Sequence, residues 1–160
     1  MKIPTHLKHK AVFVAEDYDR LDGQYAKNTD TQGLSLGLAQ WNEKGKVDIS
    51  AKVWRHTGEK WSRQSEEMPL HRVLDLALLI CKTQKYMNES YRFEKLYDPA
   101  APTVGSIDLQ GEKMEIAVNI DNPELDEDIA LFRDCLARED ERIGERLTRL
   151  AAALKELGYL

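Results

Sequence analysis

The sequence predicts an α+β fold: an antiparallel sheet packed on a central helix, with a second hairpin and a C-terminal helical hairpin. Three observations predict it. Residues 34–55 alternate apolar and polar side chains around a turn, in one register that serves both strands. Apolar residues from Leu70 to Cys81 recur at helical spacing. Alternation returns over 107–120, followed by two stripes of helical period.

Residues 11–15, AVFVA, read as a short buried strand. The polar stretch 16–33 is long for a structureless connection, so it is expected to be functional or partly disordered. Strands over about 34–41 and 46–55 flank Asn42-Glu43-Lys44-Gly45, which suits a hairpin turn. With Trp41 opposite Lys46, Leu38 faces Ile49, Leu36 faces Ala51 and Leu34 faces Val53, and these six share one apolar face. The other face receives Ser35, Gly37, Ala39 and Trp41 from one strand and Lys46, Asp48, Ser50, Lys52 and Trp54 from the other. Residues 60–64 are expected to add a fourth strand.

A helix is expected to start within 65–69, with Pro69 in its first turn, and to run to about Tyr86. It is apolar nearly all round, which predicts a central position. Residues 98–103, with Pro99 and Pro102, mark a sub-boundary within a single domain spanning 1–160. Ile107 and Leu109 alternate, Gly111 turns the chain, and Met114, Ile116, Val118 and Ile120 alternate back. Asn122-Pro123 supplies a helix start, and Leu125, Ile129, Phe132 and Leu136 form that helix's stripe. Glu124, Asp126, Glu127 and Asp128 fall where the helix dipole favours them. Ile143, Leu147, Leu150, Leu154 and Leu157 mark the last helix, which Gly158 can end.

The chain has 160 residues and a net charge of −5, which argues against bulk binding of nucleic acid. The charge is uneven: residues 1–103 balance to +2 and residues 104–160 to −7, so an anion-binding face belongs to the first part. Cys81 and Cys135 stand alone in apolar helical patterns and read as buried thiols of a reducing cytoplasm. The N-terminal ten residues lack an apolar core, so no signal peptide is expected, and no apolar run is long enough to span a membrane. His6 and His9 are placed in a mobile N-terminal segment. No phosphate loop, dinucleotide fingerprint, zinc pattern or calcium loop is present, so no cofactor and no metal are expected.

The leading candidate site is the outer face of the first hairpin and the residues beyond it. Aromatic rings can stack on bases and cations can meet phosphates, which nominates Trp41, Lys44, Lys46, Lys52, Trp54, Arg55, Lys60, Trp61 and Arg63 for single-stranded nucleic acid. The competing expectation is that protein covers this face, either the long helix or a second copy in a homodimer. A third reading is a small enzyme using His71, Asp75 and the 25–30 loop, although the 71/75 spacing is also that of an ordinary helix-surface pair.

Trp41-Asn42, Lys46-Val47-Asp48-Ile49, Trp54, Gly58-Glu59, Arg63 and a helix from near Leu70 together resemble PC4-type single-stranded-DNA-binding transcriptional coactivators. The resemblance covers roughly residues 34–81 and implies four strands, a following helix, dimerisation and single-strand binding. This chain has Ser50 where that pattern usually has arginine, and Glu66 and Glu67 where it is basic. The whole chain also resembles a family of uncharacterised bacterial proteins.

Overall fold

A computed structural model describes residues 1–22, 25–62 and 70–160. Five strands form one antiparallel sheet: β1 (Lys10–Glu16), β2 (Thr31–Leu38), β3 (Ile49–Arg55), β4 (Thr103–Leu109) and β5 (Glu112–Val118), in the spatial order β3-β2-β1-β5-β4. Three helices accompany them: α1 (Leu70–Glu89), α2 (Leu125–Arg138) and α3 (Asp140–Glu156). The fold is α+β, and the second hairpin joins the first through β1, where Phe13 pairs with Val118.

The register of β2 and β3 is the one that parity demands: Leu34 pairs with Val53, Leu36 with Ala51 and Leu38 with Ile49. A one-residue slip would carry these apolar side chains to the opposite face. The expected pairing of Trp41 with Lys46 is not formed. Regular pairing ends at Leu38, and Glu43 bridges Lys46 instead. The Asn42 side chain takes over from the ladder, donating to Asp48 O at 3.0 Å and accepting from Asp48 N at 2.9 Å. The second hairpin turns on Gln110 and Gly111, whose φ values of 53° and 80° fit the mirror-image two-residue turn that strand twist favours.

The inner sheet face supplies Phe13, Leu34, Leu36, Val53, Met114 and Ile116 to the main core, closed by Leu76 and Leu79 of α1 and Ile129 and Phe132 of α2. Asn122 starts the chain toward α2 by accepting from Glu124 N at 3.0 Å, so the helix begins two residues later than Pro123 at its first position would require. Of the expected fourth strand, Trp61 bridges His56; Arg63 and Gln64 lie outside the described residues, as does the expected helix start over 65–69.

Four expectations are corrected. Residues 1–9 are not a free tail, because Ile3 and His9 are buried against the outer sheet face. The helix α1 is not enclosed on all sides, since Leu70, Val73, Leu74 and Leu78 are exposed. Cys81 is exposed, and only Cys135 is buried. The last two helices do not both cover the core: α2 does, whereas α3 contributes no buried residue.

Candidate functional site

The nine nominated residues do not make one surface. Trp41 is 57% exposed at the turn end of the hairpin, with Lys44 and Lys46 exposed beside it, and its Nε1 donates to Asp48 at 2.8 Å. Trp54 is 1% exposed. Arg55, Lys60 and Trp61 lie at the opposite end of β3, about 20 Å away at 3.3 Å per residue. Arg63 lies outside the described residues.

What covers Trp54 is the chain's own N-terminal segment. Ile3, Ala11, Val14 and Trp54 form a small second core, flanked by Leu7 and Trp61. The segment is tied down along its length: the Met1 amino group meets Asp17 at 2.7 Å, Lys2 meets Asp121 at 2.7 Å, and Ile3 N donates to Glu16 at 2.8 Å. Two glycines of β2 permit close approach, Gly33 of this segment and Gly37 of the β1 backbone. A Cβ on Gly33 would stand 2.9 Å from Ile3, and one on Gly37 would stand 2.1 Å from the Lys10 carbonyl oxygen.

Beneath this cover lies a buried polar chain. Trp54 Nε1 can only donate, so Ser35 Oγ accepts from it at 2.7 Å. Ser35 Oγ also hydrogen-bonds His9 Nε2 at 3.0 Å, and His9 Nδ1 hydrogen-bonds Ser50 Oγ at 3.1 Å. Lys52 sits 4.1 Å above the Trp54 ring. Burial, with the nearby Lys52 charge, pushes the His9 imidazole down to about 4. His9 is therefore a neutral, structural histidine at neutral pH.

A second polar cluster joins the 16–33 segment to α1. A short 3-10 helix, Tyr18–Leu21, delivers Asp22 to the helix side. Asp22 is fully buried and accepts from Arg72 at both oxygens, Nε at 2.9 Å and Nη2 at 2.7 Å, in the forked geometry that suits guanidinium and carboxylate. His71 Nε2 lies 2.9 Å from the same carboxylate, and Thr29 Oγ1 donates to it. Burial alone would raise the Asp22 carboxyl, but the hydrogen bonds from Arg72, Thr29 and His71 override it and hold the group below its usual range. The Arg72 guanidinium is raised in turn, chiefly by its bond to Asp22.

Tyr18 donates to Asp75 one turn along α1, and burial raises both groups above their usual values. His71 and Asp75 are thus not paired with each other. Their partners are Asp22 and Tyr18, which spacing along α1 could not reveal. Tyr25 stacks on His71 with ring centroids 5.8 Å apart, and Arg55 holds Asp30 through Nε at 2.9 Å and Nη2 at 2.8 Å. The structure does bring His71, Asp75 and the 25–30 loop into one region, with Asp22, Arg72 and Arg55 as members that the sequence reading did not assign to it. The available signal was an arginine on the buried stripe of an apolar helix, which requires an anionic partner.

The third feature is apolar. Leu70, Val73, Leu74 and Leu78 are 82%, 46%, 61% and 39% exposed on one side of α1, and Cys81 continues the stripe. On α3, Ile143, Leu147, Leu150, Leu154 and Leu157 repeat at alternating steps of four and three, with none of them buried. No group of three or more potential metal ligands occurs among the described residues. Nor, among those residues, is any helix long and apolar enough to cross a membrane.

The fold and these surfaces define an α+β protein: an antiparallel sheet covered on its inner face by two helices and partly on its outer face by its own N-terminus. The chain belongs to the family of unknown function DUF6530, whose model matches residues 1–159. No curated protein and no solved structure matches it.

Proposed function

We propose that this protein is an interaction module that works as a homo-oligomer, held through the apolar faces of α1 and α3. The observation that carries this reading is the row Leu70, Val73, Leu74 and Leu78, open on one side of a helix whose other side is core. A contiguous apolar stripe of this kind is the usual mark of a protein interface. The α3 stripe has the heptad spacing of a helix that packs against another helix. A second copy related by a two-fold axis can cover both stripes at once, because each copy brings both faces. At 1.5 Å per residue the two helices are about 30 Å and about 25 Å long, a combined strip of the order of the ~800 Å² per partner that a standard interface buries. The oligomer so formed leaves the first hairpin's outer face out of the interface, since residues 1–9 already occupy it.

Cys81 tests this reading because it lies on the α1 stripe, while Cys135 is buried. The rate of Cys81 alkylation is expected to fall as protein concentration rises, and Leu74→Glu is expected to restore the fast rate. A rate independent of concentration in the unmodified protein would contradict self-association through this face.

Single-stranded nucleic-acid binding is the second reading, favoured by the exposed Trp41 ring beside Lys44 and Lys46. It predicts salt-sensitive binding of a short labelled single strand that weakens several-fold in Trp41→Ala. Equal binding by that variant, or none at low salt, removes it.

A further inference from the structure

The 25–30 loop, the end of β3 and the start of α1 border an open cleft of about 430 Å³, lined by Tyr25, Lys27, Asn28, Arg55 and Arg72, with Thr29 and Asp30. Its cationic groups are only partly spent on their neighbours. Arg55 spends Nε and Nη2 on Asp30. Arg72 spends Nε and Nη2 on Asp22 and Thr29. Among the described residues, neither Nη1 has a partner, and Lys27 makes no ion pair. Each carboxylate is thus neutralised by its own guanidinium, and Lys27 is left as a surplus positive charge. Unspent donors of Arg55, Arg72 and Lys27 thus face the cleft beside the acceptor oxygens of Asn28 and Asp30, in a chain whose net charge is −5.

The cations are also held in place before any ligand arrives. Asp22 and Asp30 fix the two planar groups, so binding an anion orders little that is not already ordered. Tyr25 adds an aromatic wall: its ring is stacked on His71, carries Arg72 at 5.7 Å, and is still 43% exposed.

We propose that this cleft binds a small organic oxyanion, a carboxylate or a phosphate monoester, through Lys27 and the unspent Nη1 groups of Arg55 and Arg72, with Tyr25 against its organic part. The site is independent of the self-association reading and uses none of the exposed leucines of α1.

Calorimetric titration of the full chain with benzoate and, separately, with phenyl phosphate tests it and distinguishes the two oxyanions. Saturable millimolar or tighter binding of at least one is expected, weakened about tenfold or more, or 1.4 kcal/mol, by Lys27→Ala and by Arg55→Lys. The Arg55→Lys variant keeps a charge for Asp30 and removes the fork. Lys113→Ala, on β5 in the second hairpin, is expected to leave binding unchanged. No saturable binding of either probe, or binding unaltered in correctly folded Lys27→Ala and Arg55→Lys, would overturn the proposal.

Discussion

Replacing Arg72 with methionine will cost about 3–5 kcal/mol of folding stability, the range for removing one partner of a buried ion pair. The Asp22 side chain is 0% exposed and its principal counter-charge is Arg72, at 2.7 Å. Without the guanidinium, a carboxylate held ionised in the folded state keeps only the Thr29 and His71 hydrogen bonds. The loss should exceed that of Arg55→Met, because the Arg55–Asp30 pair is about one-third exposed on each side and solvent screens it. Asp22→Asn combined with Arg72→Met should recover much of the loss, since the stranded charge is then gone. Urea unfolding of the single and double variants measures this. A single-variant cost below about 1 kcal/mol, the scale of a surface pair, would show that the 16–33 segment is not anchored to α1 as described.

Stability will fall as pH drops from about 6.5 to about 4, and His9 will account for about 3 kcal/mol of that fall. The imidazole is held down to about 4 in the folded protein, against about 6.5 in the unfolded chain. Between those values the unfolded state binds the extra proton and the folded state does not, so stability rises with pH. The contribution is complete above about 6.5 and gone below about 4. Its cause is local. Burial disfavours the charged imidazolium, and Lys52 adds a like charge nearby. Asp75, raised by burial, acts in the opposite sense as pH falls, so the comparison must be made against a variant. His9→Gln should flatten the pH profile in this window. A slope unchanged by that substitution would contradict the buried neutral histidine.

The register of the first hairpin was legible because Leu34, Leu36, Leu38 and Val53 are core, although the expected pairing beyond Leu38 does not form. Once Leu34, Leu36 and Leu38 are required to share a face with Ile49, Ala51 and Val53, a single register remains. Parity also placed Trp54 on the outer side correctly. What covers that side was not legible, since residues 1–9 carry no period and contribute isolated anchors, Ile3, Leu7 and His9. The Asp22–Arg72 link spans fifty positions. Asp17, Asp19, Asp22 and Asp30 all sit in the same polar stretch, and nothing local selects Asp22 among them. The stripe on α3 was evident from its spacing, but an apolar period says that a helix packs, not that its partner lies within the same chain.

The tryptophan-rich segment divides in the same way. Three rings among cations suggested a single platform, yet the sheet sends Trp41 to one end, Trp61 to the other, and buries Trp54 between them under the N-terminus. Among the described residues, exposed apolar side chains line up instead along α1 and α3.

Sedimentation equilibrium over a wide concentration range is the most direct test of that conclusion. The average mass is expected to rise from the 18.4 kDa chain toward twice that value, with Leu74→Glu and Leu150→Glu each shifting the protein back to single chains while the fold is retained. A single-chain mass at every concentration would contradict it.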